Sequence, residues 1–305
     1  MHFAALVIGE ALVDVVHDRD GSVVERPGGS AANVAVALAR LDRPVWFATS
    51  HADDEHGRMV ADHLRSAGVE LGADPGVVDA TSAAVATIDG TGAATYDFSI
   101  DWRLGELDVP ADVHPLVLHV CSYSAVLLPG AAAVQEGAER WRGSATLTYD
   151  INMRPAVTGA GPEVVQRVER LVALADVVKA SDEDLAVLYR ADSEADAAAR
   201  LLALGPAAVI VTRGGEGATA VTEHGIVEVS ADRATVADTI GAGDTFGAAV
   251  IDALWQRELL GAAARQLLRD AGVDEWRGIL EHAARAAAIT VSRPGADPPY
   301  RDELA

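Results

Sequence analysis

The sequence predicts an α/β fold, in which a mostly parallel sheet lies between two layers of helices and a small separate β-sheet lies beside it. Short β-branched runs alternate with Ala- and Leu-rich stretches of helical periodicity over most of the 305 residues. This alternation is typical of a parallel sheet covered on both faces. Two segments, residues 11–27 and 81–101, break the rhythm and alternate like antiparallel strands.

Six apolar runs of strand length predict the main sheet. They are Phe3–Ile8, Val45–Thr49, Leu116–Val120, Ala145–Tyr149, Val177–Lys179 and Ala207–Thr212. The stretches between them carry apolar residues at helical spacing. The predicted helices include Ala31–Leu41, His56–Ala67, Pro162–Ala175, Asp182–Tyr189 and Glu194–Leu204.

The two segments that break the rhythm predict a lid. Each precedes or follows a core strand, so together they can form a small sheet that stands off the main one. We therefore assign the lid to residues 11–27 and 81–101, and the α/β core to the ranges 1–10, 28–80 and 102–305. The apolar faces of an exposed lid sheet suit a second subunit, so we expect a homodimer through the lid.

Charge and cysteine content exclude several classes of partner. The chain has 24 Lys and Arg against 46 Asp and Glu, a formal net charge of −22. An acidic surface of this kind repels nucleic acid and anionic lipid, so we expect neither as a partner. Cys121 is the only cysteine, which excludes an intramolecular disulfide and fits a reducing cytoplasm. The apolar stretch 1–16 has no basic segment and contains acidic residues, so it is interpreted as a buried strand and not as a signal peptide.

The segment DTIGAGDTFGAAVIDAL, residues 238–254, carries the strongest chemical signal. Small residues at 241–243 allow close approach of a ligand, and an apolar helix is predicted over 245–255. Unpaired N–H groups at a helix start suit a phosphoryl group. Asp244 lies at the same place and suggests a proton acceptor for an attacking hydroxyl. The alternative is that Asp244 is an ordinary helix N-cap after a glycine loop. A Walker A loop is excluded because Lys179, the only lysine, does not follow a glycine.

The segment RPGGSAANVAVALARL, residues 26–41, predicts a tight turn and then an Ala-rich helix capped by Ser30. Gly29 lets backbone approach a ligand closely, and Asn33 offers both a donor and an acceptor. That combination suits a small ligand with many hydroxyl groups. The alternative is a glycine turn with small residues that serve only helix packing.

Other predicted strand ends add candidates. YDINMRP, residues 149–155, places Asp150, Asn152 and Arg154 at alternate positions after a strand. Open α/β sheets bind ligands at such strand ends, and Arg154 is a natural counter-charge for a phosphate. VIVTRGGEGATAV, residues 209–221, predicts a glycine loop between strands, which suits a nucleotide lying on backbone or an ordinary hairpin.

Three further sets of polar residues are weaker candidates. Asp14 follows the first strand, where a carboxylate is suited to bind sugar hydroxyls. The alternative is that Asp14 is an ordinary solvated residue at the edge of a sheet. His56 and His63 lie two helical turns apart, about 10 Å, which is too far to chelate one ion. His119 and Cys121 alternate on a buried strand and are interpreted as core.

Taken together and in this order, the motifs resemble those of the pfkB, or ribokinase-like, carbohydrate kinase family. PGGSAANVAVALARL followed by DDEHG is similar to its N-terminal signature, and DTIGAGDTFGAAV is similar to its C-terminal one. The resemblance runs from GEALVD to SRPGADPP, nearly the whole chain. DINMRP, ATYDFSIDWR and AAAITVSRPGA are similar to the branch with fructokinases and 2-keto-3-deoxygluconate kinases. The resemblance implies a ribokinase-like three-layer α/β/α core that binds nucleotide and phosphate, with the lid over a sugar.

The resemblance also implies an ATP-dependent kinase of a small sugar, fructose or a related keto-sugar, with Mg²⁺ accompanying ATP. Asp244 is implied to be the base that deprotonates the attacking hydroxyl. The backbone implied to form the anion hole is that of Gly241, Ala242 and Gly243. The residues implied to contact the sugar are Asp14, Gly28, Gly29, Asn33 and Arg154.

Nucleotide and ion contacts are implied in the same way. The residues implied to contact the nucleotide are Ser181, Thr212, Gly214 and Gly217. The family's usual Asn-x-x-Glu appears here as Ser181 to Asp184, and Asp184 is implied to position Mg²⁺ through water. The family often binds a monovalent cation such as K⁺, and the carbonyls of Asp238 and Ile240 occupy the matching positions.

Two other functions stay open from the sequence. A nucleoside kinase of the same fold needs aromatic residues around a base, and the lid segment offers only Tyr96, Phe98 and Trp102. A sugar-binding relative without turnover is favoured only by the departure from the family pattern at 181–184. The sugar itself is open, because Arg103 or Arg154 suit a carboxylated sugar equally well.

Overall fold

The computed structural model describes residues 2–18, 21–88, 94–190 and 192–304. These residues form two β-sheets. The strands of the larger sheet, in spatial order, are β13 (Gly225–Val229), β12 (Ala218–Thr222), β11 (Ala208–Thr212), β10 (Val177–Ser181), β9 (Thr146–Asp150), β8 (Val113–Cys121), β1 (His2–Ile8), β4 (Val45–Ala48) and β5 (Glu70–Leu71). Neighbouring strands from β5 to β11 are parallel, and β12 and β13 add an antiparallel edge. All six predicted strands are present, and the prediction of a mostly parallel sheet is confirmed.

Helices cover both faces of this sheet because side chains along each strand alternate between two apolar layers. In β1, Ala5 and Val7 belong to one layer, and Leu6 and Ile8 belong to the other. The helices of the first layer are α1 (Ser30–Arg40), α2 (Glu55–Ser66), α8 (Ala242–Gln256) and α10 (Val273–Val291). Those of the second are α3 (Gly130–Trp141), α5 (Pro162–Val172), α6 (Asp182–Leu188) and α7 (Glu194–Leu202). The short helices α4 (Pro155–Thr158) and α9 (Arg265–Arg269) complete the set of described α-helices.

The smaller sheet is built from the two segments that break the sequence rhythm. Its strands, in spatial order, are β3 (Val23–Gly28), β2 (Leu12–His17), β6 (Ala83–Ile88) and β7 (Ala94–Ser99). The two outer pairings are antiparallel, but β2 and β6 run parallel. The prediction of antiparallel strands is therefore wrong for the central pair, because these two strands arrive from segments separated by α1, β4 and α2. Residues 19–20 and 89–93 of the predicted lid lie outside the described residues.

The histidines and the cysteine do not form a metal site in the described part of the chain, where no group of three potential His, Cys, Asp or Glu ligands comes together. His119 and Cys121 are buried in the core, as predicted. None of the described helices is both long enough and apolar enough to cross a membrane.

A buried carboxylate in α8 ties this helix to distant parts of the chain. Asp252 is fully buried and accepts hydrogen bonds from Nε of Arg43 at 2.7 Å, Nη2 of Arg301 at 2.7 Å and Nε2 of His282 at 2.9 Å. Burial alone would raise the pKa of Asp252, but the hydrogen bonds from His282, Arg301 and Arg43 hold it well below its usual range. The cluster therefore joins α8 to α10, to the loop after α1 and to the C-terminal segment.

Asp252→Asn is expected to lower the free energy of unfolding by about 3–5 kcal/mol, because it leaves two arginines without their buried counter-charge. The pKa of Asp252 is lowered in the folded protein, so this stability is present above about pH 4 and is lost as the pH falls further. Urea denaturation near neutral pH measures the loss. The exposed Asp302→Asn in the same C-terminal segment is the matched control. A loss of unfolding free energy below about 1 kcal/mol would contradict the role of Asp252 as a buried counter-charge.

Candidate active site

Two cavities meet at the N-terminus of α8. The first has a volume of about 450 Å³ and lies between the small sheet and the carboxyl ends of the central strands. The second has a volume of about 530 Å³ and lies between α8, α10 and the loop after β11. Thr239 and Gly243 line both cavities. Two molecules, one bound in each cavity, would therefore meet at the first turn of α8.

The first turn of α8 differs from its prediction. The helix begins at Ala242 and not at Thr245, and its N-cap is Gly241 with φ of 74°. A side chain at Gly241 would lie 2.5 Å from Cβ of Ala296, so close backbone packing requires glycine there. Asp244 is the third helical residue, and the alternative that it caps the helix is wrong. Asp244 therefore belongs to the first turn, whose N–H groups lack intrahelical acceptors in any α-helix.

Instead of capping its own helix, Asp244 is held by α1. Ser30 Oγ donates a hydrogen bond to Oδ1 of Asp244, and Asn33 Nδ2 donates to Oδ2 at 2.8 Å. Asn152 Nδ2 donates in turn to Ser30 Oγ, also at 2.8 Å. Asp244 is 9% exposed and lines the first cavity. The carboxylate is therefore oriented by hydrogen bonds and still accessible to a small molecule.

The start of α1 corrects a second prediction. Gly29, with φ of 100°, is the N-cap, and Ser30 is the first helical residue and not the cap. A side chain at Gly29 would lie 2.8 Å from the carbonyl oxygen of Glu10. The chain thus turns tightly against the end of β1, and this turn directs the Ser30 hydroxyl at Asp244.

The residues implied to bind sugar mostly line the first cavity. Asp14, Gly29, Asn33 and Arg154 all border it, together with Asp244. Gly28 is not among the described residues that line this cavity, and a side chain there would collide with the Asp14 carboxylate. Burial raises the pKa of Asp14 to about 6, the Asp244 charge adds to the rise, and Arg154 opposes it.

The small sheet supplies the apolar wall of the same cavity. Leu12, Val16, Ala84 and Phe98 line it from strands β2, β6 and β7. Trp102, by contrast, is buried and donates its indole N–H to the carbonyl of Ser124. The Tyr96 side chain lies outside the described part of the structure. Of the three aromatic residues that the lid segment offers for contact with a base, Phe98 lies at the cavity.

Glu10 is a site residue that sequence reasoning missed. It is 2% exposed, lines the first cavity, and its Oε1 accepts a hydrogen bond from the Ser30 N–H at 3.1 Å. Burial, together with the nearby charge of Asp244, raises the pKa of Glu10 to about 7. The available signal was a carboxylate two residues after the apolar end of β1, in the segment GEALVD.

A buried ion pair is the second omission. Lys179 Nζ lies 2.7 Å from Oδ2 of Asp150, and both residues line the first cavity. They occupy matching positions on the neighbouring strands β10 and β9. The sequence signal was the only lysine of the chain, placed inside an apolar strand.

The second cavity contains the predicted nucleotide residues Thr212, Gly214 and Gly217. Gly217 has φ of 107°, and a side chain there would collide with the carbonyl of Val229. The opposite wall is apolar and comes from Phe246 and from α10 through Ala284, Ala287, Ala288 and Val291. Sequence reasoning missed this wall, because small apolar residues on a helix are equally typical of packing.

Ser181 and Asp184 form a helix cap at the start of α6. Ser181 Oγ accepts a hydrogen bond from the Asp184 N–H at 3.0 Å, and Asp184 Oδ2 accepts one from the Ser181 N–H at 2.7 Å. Asp184 Oδ1 accepts another from the Met153 N–H at 2.6 Å. The side chains therefore join α6 to the segment after β9. Their contacts with nucleotide and Mg²⁺ stay a prediction.

Asp238 organises the loop before α8. Its carboxylate accepts hydrogen bonds from the N–H groups of Ile240 at 3.0 Å and Gly295 at 2.8 Å. Burial alone would raise the pKa of Asp238, but these hydrogen bonds lower it, and the Arg26 charge lowers it further. The loop is thereby fixed to the segment around Gly295.

The comparisons with known proteins agree with this geometry. A sequence model of the pfkB family carbohydrate kinases matches residues 4–303. A fructokinase of Rhizobium leguminosarum bv. trifolii is 33% identical over 266 residues, which cover 84% of this chain and 81% of that protein. An aminoimidazole riboside kinase of Salmonella typhimurium is 31% identical over 268 residues, 84% of each chain. A solved structure of Xylella fastidiosa fructokinase with bound ATP superposes with a TM-score of 0.85 at 27% identity, covering 99% of this chain and 96% of that one.

Ser30→Ala is expected to lower turnover by about tenfold, because the hydroxyl orients Asp244 through a charge-assisted hydrogen bond of a few kcal/mol at most. The KM for sugar is expected to stay within about twofold, since the change removes orientation and not a sugar contact. Steady-state kinetics check this, with the exposed Ser66→Ala as the matched control. Unchanged turnover would show that Asn33 alone is sufficient to orient the carboxylate.

Glu10→Gln is expected to flatten the pH dependence of stability in the ligand-free protein. A raised pKa means that the folded protein binds the proton more tightly, so stability falls as the pH rises from about 4 to about 7. The variant is therefore expected to lose about 2 kcal/mol less than the wild type between about pH 5.5 and about pH 8. Urea denaturation at both pH values measures this, with the exposed Glu55→Gln as control. If the variant and the wild type lost the same stability between the two pH values, the raised pKa of Glu10 would be refuted.

Proposed function

Because this chain belongs to the pfkB family of carbohydrate kinases, we propose that it transfers the γ-phosphoryl group of ATP to a hydroxyl of fructose or a closely related keto-sugar. The observation that carries the proposal is the place of Asp244 where the two cavities meet. One cavity is bordered by polar side chains suited to sugar hydroxyls, and the other by a glycine loop and an apolar wall suited to a nucleotide. Similarity to fructokinases supports fructose as the acceptor.

In the proposed reaction, Asp244 accepts the proton of the attacking hydroxyl. The hydroxyl oxygen forms a bond to the γ-phosphorus while the bond from that phosphorus to the β,γ-bridging oxygen breaks. The electron pair of the broken bond leaves on ADP. Hydrogen bonds from Ser30 and Asn33 hold the carboxylate in place, and the N-terminus of α8 stabilises charge on the transferred group.

The residues present fit an indirect role toward Mg²⁺. Each oxygen of Asp184 accepts one backbone hydrogen bond and keeps a second acceptor position. Mg²⁺ usually keeps several waters and binds through few carboxylates and the substrate phosphates, so Asp184 would hold it through water. When bound, the ion would neutralise charge on the phosphates. For a monovalent cation, the loop fixed by Asp238 would offer the carbonyls of Asp238 and Ile240.

The small sheet is proposed to close over the sugar and to mediate a homodimer. Closure would exclude water, which competes with the sugar as the phosphoryl acceptor. Val23 and Val24 on the edge strand β3 are 50% and 43% exposed, which supports a second subunit covering this sheet. A cytoplasmic location stays a prediction.

The substrate panel is fructose, 2-keto-3-deoxygluconate, ribose, aminoimidazole riboside and adenosine, with ADP release as the measured product. We expect fructose to give the highest kcat/KM. A higher kcat/KM for either nucleoside would favour the nucleoside kinase alternative. A higher kcat/KM for 2-keto-3-deoxygluconate would indicate that Arg154 pairs with its carboxylate. If none of the five compounds led to ADP release, the kinase assignment would be refuted.

Asp244→Asn is expected to lower turnover with the preferred sugar by about 10²–10⁴, the usual contribution of a general base. The melting temperature is expected to change little, because the amide keeps an oxygen that accepts from Asn33. The same ADP assay and a thermal melt measure both quantities. Near-normal turnover in this variant would refute the role of Asp244.

A further inference from the structure

Lys179 is a buried cation that has no role in the reaction proposed above. It is the only lysine of the chain and is 8% exposed in the middle of β10. Its strand neighbours Val178 and Ala180 pack into the apolar layer on the opposite face of the sheet. Burying a charge there costs folding free energy unless the charge is paired with a carboxylate or another polar group.

Two glycines of α8 make room for this side chain. A Cβ at Gly247 would lie 3.8 Å from Cδ of Lys179, and a Cβ at Gly243 would lie 3.5 Å from its Nζ. These glycines are four residues apart and so share one face of the helix. The lysine therefore runs along α8 toward its N-terminus, and its ammonium group lies at the first turn, beside the junction of the two cavities.

Asp150 holds the ammonium group at this position. Its Oδ2 lies 2.7 Å from Nζ. Burial alone would lower the pKa of Lys179, but the carboxylate of Asp150, followed by those of Asp184 and Asp244, raises it above its usual value. The carboxylates around it therefore favour the charged form of Lys179.

The ammonium group has more donors than its protein contacts use. It carries three N–H groups, and within the described residues its one hydrogen bond goes to Asp150. A cavity of about 20 Å³ behind it, lined also by His119, has room for one water. Oδ1 of Asp150 is buried without a partner in the described structure. Lys179 thus keeps a donor for a molecule in the first cavity.

The charges around this cavity indicate which molecule that is. Among the described residues, the first cavity is lined by the carboxylates of Glu10, Asp14, Asp150 and Asp244 and by the cations of Lys179 and Arg154. A phosphoryl group entering so acidic a space needs a cation close to where it binds. Arg154 is exposed, whereas Lys179 is fixed beside Gly243 at the first turn of α8.

We propose that Lys179 contacts the γ-phosphoryl group during transfer and stabilises its negative charge, and that Asp150 positions the lysine. The inference rests on the proposed function. Lys179 exchanges no proton or electron pair: the hydroxyl proton still goes to Asp244, and the electron pair of the broken P–O bond still leaves on ADP. A preorganised donor of this kind contributes about 10²–10³ to turnover.

The kinetic test replaces the pair as a unit. Lys179→Met combined with Asp150→Asn leaves no unpaired buried charge and is expected to lower kcat by about 10²–10³, with the KM for ATP within about threefold. Asp150→Asn alone keeps the cation and is expected to cost no more than about tenfold. The matched control is Arg265→Met with Asp176→Asn, a pair joined at 2.6 Å next to the opposite end of β10. It is expected to lose stability and to keep kcat.

The outcomes separate this inference from the proposed function. An active wild type together with an active Lys179→Met/Asp150→Asn variant would overturn the role of Lys179 and leave the kinase assignment intact. A wild type that phosphorylates no sugar would overturn both. Equal losses of kcat in the double variant and in the Arg265–Asp176 control would show a structural role only and would overturn the inference.

A second measurement does not depend on variants. Because the chain has one lysine, protein labelled with ¹⁵N at the lysine Nζ is expected to give one side-chain ammonium signal, that of Lys179. We expect this signal to shift when ADP, aluminium fluoride and fructose bind together, because aluminium fluoride mimics the phosphoryl group in transfer. Fructose alone is expected to move it much less. An unchanged signal in the full complex would overturn the contact.

Discussion

The carboxylate of Asp244, held between the starts of two helices, is the interaction on which the site depends. Ser30 and Asn33 belong to the first turn of α1, and Asp244 belongs to the first turn of α8. Both helices present the positive ends of their dipoles to this carboxylate, which stabilises its ionised form. The same contact joins two segments more than 200 residues apart in the chain. The position of the proposed base and the packing of α1 against α8 are therefore determined together.

The electrostatics of the site follow from the acidic composition. Several carboxylates face one cavity, and burial raises the pKa of Glu10 to about 7 and those of Asp14 and Asp150 to about 6. Such a cluster costs folding stability, which is typical of functional sites. Elsewhere the fold uses the same residue type differently, since Asp252 is surrounded by cations and stabilises the protein. Partners in the tertiary structure, and not residue identity, decide which role a buried aspartate has.

Much of the architecture could be predicted, because strand and helix periodicity depend on which side chains are apolar. The six core strands and the position of the small sheet follow from that pattern alone. The helix starts at 30 and 242 were placed incorrectly, since Gly29 and Gly241 adopt positive φ where Glu10 and Ala296 approach them. The parallel pairing of β2 with β6 was missed for a related reason. Both depend on contacts between segments far apart in the chain, which local pattern does not contain.

The sequence by itself determined that this chain is an α/β protein with a glycine-rich helix start beside an aspartate, because those features are local. It also indicated Asp14, Asn33 and Arg154 from their places near strand and helix ends. Only the tertiary structure decided that Ser30 orients Asp244, that Glu10 accepts a hydrogen bond from the Ser30 N–H, and that Lys179 reaches the first turn of α8. The reason is that burial, pairing and the direction of a side chain are properties of the packed neighbours, and these come together only when the sheet and its helices have formed.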